Sequence, residues 1–488
     1  MSGETTIILA VFLPLAGALG IAAAGRWPNL REAVTLATAG ALTINVWSLL
    51  PAVFAGERPG AVLFQTVADL PIAFTVEPLG MLFAALASLL WIVNSIYSIG
   101  YMRGNNESHQ TRFYICFAVA ISAAMGIAFA GNLLTLFLFY EILTLSTYPL
   151  VSHKGDEATV KQARVYLGVL LGTSIGLLLP AMLWIYFATG TLDFVQGGVL
   201  AGHVEGPALG LLLGLCVFGV GKAAVMPVHR WLPAAMVAPT PVSALLHAVA
   251  VVKAGVFTIT KLIIYIFGAD YLFAEPSAGW LVYAAAFTVL AASVVALRQT
   301  NLKRLLAYST IGQLSYVVLA AAVLKPLAEV GAAIHIVAHA FGKITLFFAA
   351  GAIYTAAKKT EIGELRGIGR RMPWTMAAFT IGALSMVGVP PTAGFVSKWF
   401  ILAGAFQSDN LVVIFTIILS TALNAAYFLP IVFRAWFREE DVAPKKDHGE
   451  APWPMVLALT ITAALTLAFF VGNQPVIDLE LQIVRPGP

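Results

Sequence analysis

The sequence predicts an all-α polytopic membrane protein of about fourteen transmembrane helices, on three observations. First, the 488 residues are 60% hydrophobic and only 11% charged, where a soluble domain carries about 25% charged residues. Second, fourteen stretches fit the template of about 20 mostly apolar residues that a helix needs to cross a bilayer. They fall at 5–25, 33–55, 72–100, 112–130, 132–152, 162–188, 207–228, 241–268, 276–297, 304–324, 328–356, 373–405, 409–434 and 452–472. Third, the basic residues are one-sided. Of the 28, 20 lie in loops after odd-numbered spans, 3 (Arg58, Lys325, Arg485) lie on the other side, and 5 lie inside spans. Positive loops stay in the cytoplasm, so both termini are expected outside, and an even number of spans agrees with both ends lying on one side.

The first span follows MSGETT, which has no basic region, and reads as a retained helix rather than a cleaved signal. The third, eleventh and twelfth spans are longer than a bilayer needs, which predicts tilt, breaks or partial interfacial placement. The seventh and twelfth are punctuated. Lys222 is followed by Pro227, and GALSMVGVPPTAGFVSKWF sets Gly388, Pro390, Pro391 and Gly394 just before Lys398. Proline removes a backbone donor and clashes with the preceding turn. In lipid such a break survives only where protein or water satisfies the freed groups.

Span 7 is fourth in the block 4–8, and span 12 is fourth in the block 9–13. Five-span blocks must sit in opposite orientation, so the pattern predicts an inverted repeat with Lys222 and Lys398 as counterparts. The expected organisation is 1–111 for the first three helices, 112–268 for the first repeat, 276–434 for the second, and 452–488 for the last helix and tail. Arg438–Glu450 mixes both signs and reads as a solvated cytoplasmic loop. The fifteen or so residues after the last span leave no room for a long helix. Cys116 and Cys216 lack metal or redox spacing and read as small core residues.

Charges inside the spans carry the chemistry. A lysine at mid-bilayer costs roughly 2.5–3.5 kcal/mol on insertion scales. Lys222 and Lys253 flank the hairpin GKAAVMPVHRWLPAAMVAPTPVSALLHAVAVVKAG, which also holds His229 and His247. Either they snorkel or pair off structurally, or they relay protons or ions. Glu141, in NLLTLFLFYEILTLSTYPL, is the single deep carboxylate and the natural partner of Lys222; a static buried pair is the competing reading. Glu77 sits near a span end and reads as interfacial. His335, His339 and Lys343 recur at i, i+4 and i+8 on one helix face. Two histidines at that spacing suit a metal, but no acidic third ligand is near, so His339 with Lys343 reads as a relay link. His247 and Lys253 point about 240° apart and suit a link between neighbours. GVGKAA lacks the phosphate-loop spacing, and no nucleotide, haem or nucleophile motif appears. No cofactor is expected.

The seventh-to-eighth-span segment resembles the signature of the proton-conducting antiporter-like membrane subunits of respiratory complex I, membrane-bound hydrogenases and Mrp-type cation/proton antiporters. The likeness covers nearly the whole chain, with Tyr140 and Glu141, Lys222, Lys253, His339 and Lys343, and Lys398 in successive spans. It implies fourteen helices with two inverted five-helix units. It also implies a Glu141–Lys222 switching pair, a central Lys253–His339 relay beside Lys343, and Lys398 as terminal donor or acceptor. His247, His335, His229 and Tyr140 are secondary candidates. The helix-12 lysine and the short C-terminal tail resemble the Mrp D type, while the wording around Glu141 departs from it. The resemblance further implies a bacterial cytoplasmic-membrane location, other membrane subunits as partners, and transport of protons with sodium or potassium. Two other readings stay open: the pump module of a redox complex, and a proton-driven module of inorganic-carbon uptake.

Overall fold

Helices occupy all fourteen expected stretches in the computed structural model, which describes residues 2–66, 70–440 and 449–484. Lys445, Lys446 and Arg485 lie outside the described residues. The helices are α1 (Gly3–Ala23), α2 (Pro28–Trp47), α3 (Pro78–Gly104), α4 (Gln110–Ala128), α5 (Leu133–Val151), α6 (Glu157–Thr189) and α7 (Gly206–Gly219). There follow α8 (Thr240–Phe267), α9 (Trp280–Leu297), α10 (Leu302–Ala321) and α11 (Pro326–Ala357). Next come the half-helices α12 (Pro373–Val387) and α13 (Ala393–Gln407), then α14 (Leu411–Phe437), α15 (Trp453–Val471) and α16 (Gln474–Val484). Among the described residues, 11 helices are long and apolar enough to cross a membrane.

Local chemistry sets the boundaries. Proline opens α2, α3, α11 and α12, where its missing N–H has no helical partner to lose. Asn132, Asp156, Asn301 and Asn410 cap α5, α6, α10 and α14 by accepting from a backbone N–H three residues on.

Two helices form the centre. The apolar windows of α8 and α11 are wholly buried, whereas that of α2 is buried by little more than a quarter. A helix enclosed on every side can carry polar groups at mid-bilayer depth because they face protein rather than lipid. Lys253 and Lys261 lie on α8, and His335, His339 and Lys343 on α11. Helix α8 is interrupted by single π turns at Leu245–Val249 and Ile263–Phe267, a distortion frequent at functional sites.

Loops after odd-numbered spans gather at one end. There Lys358 donates to Asn105, Lys303 to the Ala238 carbonyl, Arg112 to the His153 carbonyl, and Lys359 and Arg371 both to Glu440. The opposite end corrects an expectation. Apolar length alone starts the third span at residue 72, but 71–77 are not helical. Strands β1 (Gly60–Gln65) and β2 (Pro71–Thr75) form an antiparallel hairpin, with Gly60 opposite Thr75. Ile72 and Phe74 are buried and alternate with half-buried neighbours. Period-2 burial with prolines at both ends favours a strand over the first turn of a helix. Thr75 N–H donates to the Phe129 carbonyl and Gly131 N–H to that of Ala73, which seats the hairpin on the α4–α5 turn. The tail folds into the 11-residue α16 at this same end.

Candidate functional site

Lys222 stands in a single 3-10 turn, Gly221–Ala223, where α7 stops. It is wholly buried. Its Nζ donates to the Tyr140 carbonyl at 2.9 Å and to Thr144 Oγ1 at 2.5 Å, and lies 3.1 Å from the centre of the Tyr140 ring. The Tyr140 hydroxyl accepts from the Lys222 backbone N–H at 3.1 Å. The turn can press against α8 because residue 255 is glycine. A Cβ there would come within 2.3 Å of the Lys222 carbonyl carbon, so the glycine of the VVKAG motif is a packing requirement.

The expected direct pair of Lys222 with Glu141 is not formed. Neither Glu141 oxygen has a hydrogen-bond partner among the described residues. Consecutive residues of a helix point about 100° apart. Tyr140 and Thr144, at i and i+4, take the inward face. Glu141, one residue on, is half-buried, and both its carboxylate oxygens are enclosed.

The central group has two parts. Lys253 Nζ lies 2.5 Å from His339 Nδ1, both side chains fully enclosed. The His339 ring stacks on His335 with 6.2 Å between centroids, and His335 Nδ1 lies 2.8 Å from Ser397 Oγ, the residue before Lys398. On the other side, Lys343 donates to Ser309 Oγ at 2.8 Å, Tyr427 O–H donates to the same oxygen at 3.0 Å, and Tyr427 also bonds Asn424. His247 sits in the first π turn of α8, against Phe347, and neither of its ring nitrogens has a hydrogen-bond partner among the described residues. It therefore does not form the link to a neighbour that its spacing suggests. His229 lies outside this group, in the loop after the first break, 6.5 Å from the Tyr308 ring. Burial lowers its imidazole from the usual histidine range, and Arg230 beside it lowers it further.

Lys398 occupies the second turn of α13 and reaches back across the break. Its Nζ donates to the Val387 carbonyl at 2.9 Å, to Met386 at 3.3 Å and to Thr421 Oγ1 at 3.1 Å. The two carbonyls belong to the end of α12, where the last acceptors have no helical partner and carry partial negative charge; Asn424 and Gln313 also donate to the Met386 carbonyl. Gly388 ends α12 at φ +89°, and a Cβ there would sit 2.8 Å from Lys398 Cδ.

The structure thus brings Lys253, His339, His335, Lys343 and the Lys398 region together across α8, α10, α11, α13 and α14. Lys222 forms a separate station with α5. Thr144, Ser309, Ser397, Thr421, Asn424 and Tyr427 escape a reading of the sequence, since single hydroxyls in apolar helices are ordinary. Ser420, Asn424 and Tyr427 do recur at i, i+4 and i+7, a polar stripe that periodicity would detect. Among the described residues no group of three His, Cys, Asp or Glu side chains is placed to hold a metal ion.

Comparison with known proteins gives four findings. A transmembrane family described as NADH:quinone oxidoreductase/Mrp antiporter matches residues 130–424. The chain is 30% identical over 430 residues to NADH-quinone oxidoreductase subunit N of Desulforudis audaxviator, covering 85% of each. It is also 30% identical over 475 residues to the A/B component of a probable K(+)/H(+) antiporter of Rhizobium meliloti, covering 92% of this chain but 46% of that longer one. In three dimensions it superimposes on a chain of the Mrp complex from Dietzia sp. with a TM-score of 0.83, at 21% identity and 97% coverage of both.

Proposed function

The chain belongs to the NADH:quinone oxidoreductase/Mrp antiporter transmembrane family, and from that premise we propose that it is the proton-translocating subunit of a multisubunit Na+ or K+/proton antiporter. Protons move along the enclosed lysine–histidine axis. The observation that carries this reading is the Lys253–His339 contact, 2.5 Å long, on the two wholly enclosed helices. Burying so many titratable groups is costly unless they exchange protons or are paired, and here the cations outnumber the acids.

In this reading Lys222 and Lys398 are the stations at the two breaks, Lys253 and His339 pass protons between them with His335 and Lys343 alongside, and Glu141 forms the switching pair with Lys222 through its charge rather than through a direct hydrogen bond. The fourteen spans, the inverted blocks 112–268 and 276–434, the placement of both termini outside, and a D-type position in the assembly belong to the same proposal. Other membrane subunits cover the exposed apolar faces and supply the metal-ion path.

The test is transport by the purified assembly in liposomes. A Na+ or K+ gradient is expected to drive proton flux, Lys253→Ala to abolish it, and the isolated subunit to sustain none. A second reading is favoured by one finding, the likeness to subunit N over 85% of both chains. There the same axis would pump protons for a redox complex. Co-purifying flavin or iron–sulfur absorbance, with proton flux that follows electron transfer and ignores cation gradients, would replace the first reading by the second.

A further inference from the structure

At the hairpin end lies a second buried charge cluster that the axis does not use. Glu77, just before α3, is 7% exposed and places Oε1 at 2.7 Å from Lys261 Nζ, itself fully buried. Lys261 also donates to the Ala130 carbonyl at 2.8 Å. Above the pair is a cavity of about 170 Å³, lined by Arg58, Glu77, Gln196, Lys261, Tyr265 and Gln482 among others. Its mouth is polar and pinned. Arg58 donates to Gln482 Oε1 at 3.0 Å, Gln482 to the Phe54 carbonyl at 3.1 Å, and Gln196 to the Ile483 carbonyl at 2.8 Å. Helix α16 brings a further acid: Glu480 is wholly buried, and neither of its oxygens has a hydrogen-bond partner among the described residues. Burial holds the Glu480 carboxyl well above the usual carboxylate range, and the charge of Glu77 pushes it further.

Lys261 stands on α8, the helix that carries Lys253, eight residues nearer this end. At 1.5 Å per residue the two are about 12 Å apart along the helix. A buried lysine on the relay helix thus ends in a carboxylate, a cavity and a polar mouth. A cavity of that size and polarity holds several waters.

We propose that this cavity is a second proton port, joining the first half of the chain to the compartment at the hairpin end, with Glu77 as its exchanging group. The step is balanced. The Lys261 ammonium gives its proton to the Glu77 carboxylate, leaving a neutral amine and a carboxylic acid. The acid then releases the proton to cavity water and is a carboxylate again, while Lys261 is recharged from the Lys253 side through water. Glu480 holds a proton beside Glu77 and keeps the cluster from gaining two adjacent negative charges. Tyr265, Arg58 and Lys261 are the other titratable groups that face Glu77 here. The port rests on the proposed proton transport.

The experiment uses the intact assembly in vesicles, with proton flux measured while the pH at the hairpin end is varied. Wild-type flux is the control for the functional reading, and its absence would overturn that reading by itself. Glu77→Gln is expected to lower flux at least tenfold in correctly assembled complex, Glu77→Asp to restore part of it with a displaced pH profile, and Glu480→Gln, which keeps the neutral form, to leave that profile where it is. A merely structural pair would reduce the amount of complex and leave the profile of the remainder unmoved. Gln196→Cys, which keeps the ion pair, covers the case in which Glu77→Gln does not assemble. A bulky impermeant maleimide added at the hairpin end is expected to block its flux. Wild-type flux in Glu77→Gln, or undiminished flux in the labelled Gln196→Cys complex, overturns the port.

Discussion

At the first break Lys222 sits in the turn itself and gives its protons to another helix, to Tyr140 and Thr144 of α5. At the second break Lys398 stands on the helix that follows and reaches back to Met386 and Val387, the carbonyls that the break has freed. The two lysines occupy corresponding places in the sequence pattern, yet their charges are met differently. One depends on a neighbouring helix that also carries a carboxylate. The other is served by its own interruption, through backbone that no side-chain substitution removes. The difference makes the first station the one that a neighbouring helix can tune.

The largest expected effect treats the stations as equals. Lys222→Ala and Lys398→Ala should each abolish proton flux in assembled complex, because in the proposed route each removes the titrating group of a half-path. Flux near wild type in either variant would remove that break from the route. The next separates them. A hydrogen bond to a charged group contributes roughly 1.5–3 kcal/mol. Thr144→Val should therefore slow flux by about tenfold or more, since about 1.4 kcal/mol is a factor of ten. Thr421→Val should cost only a few-fold, because two carbonyls still hold Lys398. Equal losses would erase the contrast.

A third, smaller effect concerns the backbone of the second break. Gly388→Ala forces a Cβ onto a residue at φ +89° and against Lys398. A left-handed non-glycine residue costs about 1–2 kcal/mol, so thermal stability of the complex should fall by a few degrees. An unchanged melting temperature would mean that the break relaxes freely.

The smallest compares the loops at the other end. Burial, with Arg112 nearby, lowers the His153 imidazole from 6.5 to about 4. A histidine kept neutral when folded stabilises above its unfolded value, and that contribution is lost as pH falls from about 6.5 toward 4. In the second half Lys359 and Arg371 hold Glu440 below its usual 4.5. That clasp stabilises above about 4.5 and weakens only as pH falls further. Acid should therefore loosen the first half before the second. His153→Gln should remove the early phase of acid destabilisation and Glu440→Gln the late one, as followed by proteolysis of the loops.

Much of this was legible because lipid enforces simple rules. Apolar length placed the helices, proline and glycine placed both breaks, and the cost of buried charge picked out Lys222, Lys253, His339, Lys343 and Lys398. What failed was orientation within a turn of helix. Scarcity of acids pairs Glu141 with Lys222, but a 100° step leaves its carboxylate outside the lysine's hydrogen bonds, which Tyr140 and Thr144 take instead. The hairpin at 60–75 was hidden because an apolar run that abuts a span reads as more span. Glu77 and Lys261 were visible as residues but not as a pair. They are 184 positions apart, and only the packing of α3 against α8 brings them together.

One distance sets a limit on how the centre of the chain works. With Lys253 Nζ 2.5 Å from His339 Nδ1, two positive charges at that separation repel too strongly for both groups to be protonated in an enclosed, poorly screened interior. In the proposed relay the contact therefore carries at most one positive charge at a time, and a second can arrive only after the first has moved on.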